Sequence, residues 1–131
     1  MKVTVDTNIL VRSLVRDDES QAAAADQILR SASLIAITLP CLCELVWVLT
    51  KLYGITREDV VRGIRALLSV KHVAADRPAI EMGLKLFERG GDFADGAIAY
   101  QGAVLGGQTF VSFDKKAIKL ISATGMPTQQ A

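Results

Sequence analysis

The stretch MKVTVDTNIL, residues 1–10, reads as a short apolar strand running straight into Asp6-Thr7-Asn8 and then into a second apolar run. A strand bound for a core thus ends on a bare carboxylate, Asp6. Its simplest job is to cap the helix behind it, because an Asp oxygen accepts hydrogen bonds from first-turn N–H groups. The rest of the chain decides whether capping is its whole role.

Downstream, strands and helices alternate without repeat, linker or low-complexity tract. After the strand at 2–5 the pattern predicts a helix over about 8–16. The acids of DDES restart a second, alanine-rich helix, QAAAADQILR, at its positive end. SLIAITL (33–39) predicts a second strand, and 40–54 one long helix with Pro40 in its first turn and Gly54 past its end. Trp47 on that helix is expected in the core. Thr56 and Asp59 have capping-box spacing ahead of a helix with Val60, Val61, Ile64, Leu67 and Leu68 on its apolar face. HVAA, an amphipathic helix from Arg77, the helix of FADGAIAYQGAVLGG, the strand TFVSF and the helix of KKAIKLISATG follow, with a weak final strand at MPTQ. Strands separated by helices imply an α/β fold with a parallel sheet covered on both faces. In such folds ligands bind beyond the carboxyl ends of the strands.

With 131 residues the chain is expected to form one domain, 1–131. It is 50% hydrophobic but only 5% aromatic, with mean hydropathy +0.32. This aliphatic surplus suggests a buried subunit interface, so a homodimer is expected. The longest uncharged run, residues 96–113, is interrupted by Gly106-Gly107 and reads as helix, turn and strand rather than a membrane span. No basic segment precedes a long apolar core, so no signal peptide is expected and the location is expected to be cytoplasmic, with no membrane partner. Cys41 and Cys43 read as buried reduced thiols, and the one histidine, His72, as a strand-start residue without chemistry.

Four acids invite a chemical reading. Asp6 and Asp114 each directly follow a strand. Glu44 lies among Leu42, Cys43, Leu45, Val46 and Trp47, where a carboxylate must be exposed, paired, protonated or cation-bound. Asp95 opens a helix otherwise free of charge, and Asp92, three residues earlier, is free to be its cap. Carboxylates sharing one region repel by about 4 kcal/mol per pair at ~4 Å and an effective dielectric of 20. A hard divalent cation relieves that, and an all-oxygen donor set suits Mg²⁺ or Mn²⁺.

Asp6-Thr7-Asn8 after an N-terminal strand, Glu44 in the middle helix, DFADGAIA and SFD together resemble a PIN-domain ribonuclease, over essentially the whole chain. Size and VDTNIL resemble, more narrowly, the VapC-type toxins of type II toxin–antitoxin pairs. The resemblance implies a three-layer PIN-like fold, a parallel sheet of four to five strands flanked by helices. It also implies a Mg²⁺- or Mn²⁺-dependent endoribonuclease that hydrolyses RNA phosphodiesters by metal-activated water. By position, Asp6, Glu44, Asp95 and Asp114 match the catalytic, metal-binding quartet. Asp92 is a possible fifth ligand, and Thr7, Asn8 and Ser112 match supporting polar residues. The implied partners are RNA and a cognate VapB-like antitoxin that places a basic side chain in the active site.

Net charge is +1, from 15 bases and 14 acids; without the quartet, 15 bases face 10 acids, leaving +5. Arg12, Arg16, Lys51, Arg57, Arg62 and Arg65 are candidates to follow a phosphate backbone. A non-toxin PIN-type RNA-processing nuclease and a catalytically silent cation- or RNA-binding module are the alternatives. A phosphoryl-transfer domain with a nucleophilic Asp would need a second acid two residues on, where Asn8 stands.

Overall fold

The computed structural model describes residues 1–131. They form a mixed α/β structure of five short strands and seven α-helices, with every strand pairing parallel. The strands hydrogen-bond as a set of three and a set of two, in two compact units, 1–75 and 76–131.

The first unit holds β1 (Lys2–Thr4), α1 (Thr7–Leu14), α2 (Glu19–Ser31), β2 (Leu34–Ala36), α3 (Leu39–Trp47), α4 (Arg57–Leu68) and β3 (Val73–Ala74). The strands lie in the order β1-β2-β3, with Val3 opposite Ile35 and Ile35 opposite Val73. Local chemistry starts each helix. Asp6, Asp18, Thr38 and Thr56 accept from the backbone N–H of Ile9, Gln21, Cys41 and Asp59 at 3.0–3.3 Å. Leu10, Ile35, Leu42, Leu45, Val60 and Ile64 are fully buried.

Four sequence expectations change here. The strand expected over 33–39 is only three residues long, because Thr38 leaves it to cap α3. The first helix runs Thr7–Leu14 rather than to 16. The long helix of 40–54 is α-helical only to Trp47 and then widens into a π-turn, Val48–Leu52, before Gly54 at φ +63°. Thr50 Oγ1 donates to the Val46 carbonyl at 2.7 Å, taking the acceptor that an α-helix would give to Thr50's own N–H. Trp47, expected in the core, is instead 55% exposed, with Leu52 and Tyr53 also outside.

The second unit holds α5 (Arg77–Glu88), α6 (Phe93–Val104), β4 (Phe110–Ser112), α7 (Lys115–Ser122) and β5 (Thr128–Gln130). The weak strand anticipated at the end is real: Phe110 pairs with Thr128 and Ser112 with Gln130. Leu86, Ala99 and Ile121 form its core, flanked by Met82, Phe110, Leu120 and Met126. Helices α5 and α6 meet through glycine: a Cβ on Gly96 would lie 2.5 Å from the Met82 carbonyl oxygen and 2.8 Å from Gly83 Cα. Ile80, Leu84 and Phe87 face inward, as the periodicity of α5 predicts.

Candidate active site

In the first unit β1 delivers its chain end to Asp6, and β2 leads through the Thr38 cap into α3, which carries Glu44. Asp6, Thr7, Asn8 and Glu44 line one cavity of about 570 Å³, walled by Val5, Val11, Pro40, Cys41 and Val48. The first-unit residues singled out in the sequence are therefore together. Asp6 Oδ1 accepts the Ile9 N–H at 3.1 Å, which fixes the carboxylate while leaving its second oxygen without a protein hydrogen bond. Glu44 is exposed and accepts no protein hydrogen bond. Asn8 lines the cavity without bonding Asp6, so its expected role of steadying that acid is not performed here by a hydrogen bond.

Cys41 is a wall the sequence reading missed. It is 8% exposed, and Thr7 Oγ1 donates to its sulfur at 3.7 Å. Burial raises the thiol pKa; the Thr7 hydrogen bond opposes that, and the charges of Asp6 and Glu44 push it further up, so the sulfur stays a protonated, soft wall. The signal was present in the spacing: Cys41 lies three residues before Glu44, hence on the same face of α3.

In the second unit Asp92 is the cap of α6, with Oδ1 accepting from Ala94 N–H at 3.0 Å. That leaves Asp95, in the first helical turn, without a capping role and without a hydrogen-bond partner. Burial first, then the charges of Asp92 and Asp114, hold the Asp95 carboxyl above its usual range. Asp114 caps α7, one oxygen accepting from Lys116 and Ala117 N–H at 2.9 and 3.1 Å. Its own N–H donates to Ser112 Oγ at 3.0 Å, so Ser112 holds the Asp114 backbone.

In neither unit do three or more His, Cys, Asp or Glu side chains stand close enough to hold a metal ion. The donor chemistry nonetheless fits a hard divalent cation, with carboxylate oxygens left over on Asp6, Glu44, Asp95 and Asp114. Among the arginines expected to follow RNA, three are engaged within the first unit. Arg12 pairs with Asp17 at 2.6 Å, Arg16 with Asp26 at 2.8 Å, and Arg62 with Glu58 at 2.6 Å. No helix is long and apolar enough to cross a membrane.

No curated protein matches the chain. The sequence profile of the PIN domain matches residues 3–122, a span that takes in all four acids and both of their strand ends. PIN domains are generally metal-dependent nucleases. The chain belongs to the PIN domain family, and its activity is of the nuclease type.

Proposed function

We propose that the protein is a metal-dependent endoribonuclease, the toxin of a toxin–antitoxin pair, working as one nuclease domain over residues 1–131. Asp6, Glu44, Asp95 and Asp114 would hold Mg²⁺ or Mn²⁺, with Asp92 as a possible further ligand. The observation that carries this reading is the set of uncommitted carboxylate oxygens. Asp6 and Asp114 each tie one oxygen to a helix start, and Glu44 and Asp95 have no partner at all. A cation there supplies charge neutralisation at the phosphodiester and acidifies water for attack. The chain's own part is positional. Capping bonds lock Asp6 and Asp114 so that the remaining oxygen of each is aimed by the fold, and Ser112 fixes the strand end beneath Asp114. Thr7 ties α1 to Cys41 on α3, the helix that carries Glu44.

The test is cleavage of single-stranded RNA with Mg²⁺ or Mn²⁺, with chelator, and with Asp6→Asn. Robust cleavage in chelator by clean protein, or full activity of Asp6→Asn, overturns the metal reading. A catalytically silent cation- or RNA-binding module is the second reading, favoured by the capping work that Asp6, Asp92 and Asp114 do in any case. It predicts metal binding without cleavage.

The toxin role brings a partner, a VapB-like antitoxin inserting an Arg or Lys among the acids, and a homodimer for which Trp47, Leu52 and Tyr53 offer exposed apolar surface. Arg suits the plug best, because its planar fork can engage two carboxylates. Co-expression with the product of a short adjoining reading frame should suppress both RNA cleavage and growth arrest. Equal binding of that partner to a variant lacking two of the four acids would overturn the plug.

A further inference from the structure

A second cavity of the first unit, about 510 Å³, lies at the opposite edge of the three-stranded sheet from Asp6. Ser33 stands just before β2 and His72 just before β3, so this is where those strands begin, whereas Asp6 follows the end of β1. Arg30, Lys71 and His72 line it, with Ser31, Ser33 and Val70. No carboxylate lines it, and none of the three bases takes part in an ion pair. Two acids lie four positions from this cluster: Asp26, held bidentately by Arg16 at 2.8 and 3.2 Å and also under the charge of Arg30, and Asp76, which caps α5.

Bases often gather at helix ends simply to satisfy terminal carbonyls. Here part of that role is already filled by the backbone. The Ile28 carbonyl accepts from Ala32 N–H, Ala66 from Ser69 N–H and Oγ, Leu67 from Val70 N–H, and Val70 from Val73 N–H. The His72 carbonyl accepts from Ile35 N–H at 2.9 Å. Arg30, Lys71 and His72 therefore line one cavity that no carboxylate lines.

His72 adds an independent observation. Its backbone sits at φ +69°, the left-handed region, and every other positive-φ residue of the chain is glycine. A β-carbon is strained there, and nothing in the backbone requires one. The imidazole is the feature that distinguishes this position from a glycine turn.

We propose that this cavity is a phosphate-binding site, in which Arg30, Lys71 and His72 hold a phosphate group at the edge of the sheet remote from Asp6. Arg30 supplies a planar fork, Lys71 a compact charge and His72 a ring N–H, a donor set suited to a multiply charged oxyanion. The backbone of a bound RNA and a free phosphorylated metabolite carry the same chemistry. Only the first source rests on the nuclease reading.

Inorganic pyrophosphate and a short fluorescent single-stranded RNA are titrated separately into the full-length protein, both in chelator so that no strand is cut. Arg30→Gln and Lys71→Gln should each weaken pyrophosphate about tenfold, the effect of losing one charged hydrogen bond. His72→Gly should weaken it too while unfolding at the same or higher temperature than wild type, since glycine relieves the left-handed strain. That gain separates ligand contact from a folding defect. Parallel weakening of RNA, with its salt slope reduced by about one per lost contact, assigns the site to the substrate backbone. Loss of pyrophosphate with RNA binding unchanged upholds the phosphate site and overturns RNA as its source. Pyrophosphate that fails to bind, or binds the Arg30→Gln/Lys71→Gln protein as well as wild type, overturns the site itself. None of these outcomes depends on cleavage.

Discussion

Asp95 is half-buried at the start of α6, and its carboxyl is held above the ordinary 3.8 by burial and by Asp92 and Asp114. The folded protein thus binds that proton more tightly than the unfolded chain does. Ionised Asp95 lowers stability at all pH above the raised value, and the penalty vanishes as pH falls below about 3.8. Asp95→Asn should therefore unfold at higher urea concentration than wild type at neutral pH, an advantage that fades in acid. The same change should cut RNA cleavage about a hundredfold or more. A variant less stable than wild type at neutral pH would show that Asp95 is an ordinary structural acid. Glu44 has no protein partner to lose, so Glu44→Gln should leave stability within about 0.5 kcal/mol while abolishing cleavage. Retained activity would reduce Glu44 to a surface residue.

Between elements, the closest approach in the second unit is glycine against glycine. Gly96→Ala drives a methyl into the Met82 carbonyl and Gly83 Cα, both backbone atoms that cannot rotate away. The expected cost is about 1–3 kcal/mol by denaturant unfolding. Gly102, on the same helix, is the control, because a β-carbon added there would meet nothing within 4 Å. Gly102→Ala should stabilise by up to about 1 kcal/mol, as alanine does in an open helix. Equal effects at the two sites would remove the close-packing account. In the first unit, Arg16 from just beyond α1 grips Asp26 of α2, and its hydrogen bond holds the Asp26 carboxyl below 3.8. That contribution is present above 3.8 and lost as pH falls through the depressed value. Asp26→Asn should be the less stable protein at neutral pH, and the two should converge in strong acid. A pH-independent difference would mean that shape rather than charge matters there.

For the molecule as a whole, the one tryptophan, Trp47, is a built-in reporter of association, since it is 55% exposed within a single chain. The proposed homodimer should shield it: raising concentration should shift its emission to the blue and protect it from acrylamide in step with the dimer fraction from sedimentation. Monomer at micromolar concentration, with Trp47 freely quenched, would leave the aliphatic surplus as core alone. That surplus is substantial, with leucine, isoleucine, valine and alanine filling nearly every buried position.

The sequence by itself determined whatever depends on neighbours three or four residues apart. Caps at Asp6, Thr56, Asp92 and Asp114 were legible because a carboxylate or hydroxyl reaches N–H groups of the next turn whatever the rest of the chain does. The buried faces of α4 and α5 were legible from their period. Tertiary structure alone decided the remainder. Thr7 meets Cys41 from 34 positions away, the Asp95 carboxyl is raised by burial and by the charges of Asp92 and Asp114, and Arg30 shares a cavity with Lys71 and His72. Trp47 lies on the face of α3 that Pro40 and Glu44 also expose, while Leu42, Leu45, Val46 and Leu49 take the buried one. Such features depend on long-range packing and desolvation, which no local window contains. Capping, by contrast, is settled within a single turn of backbone.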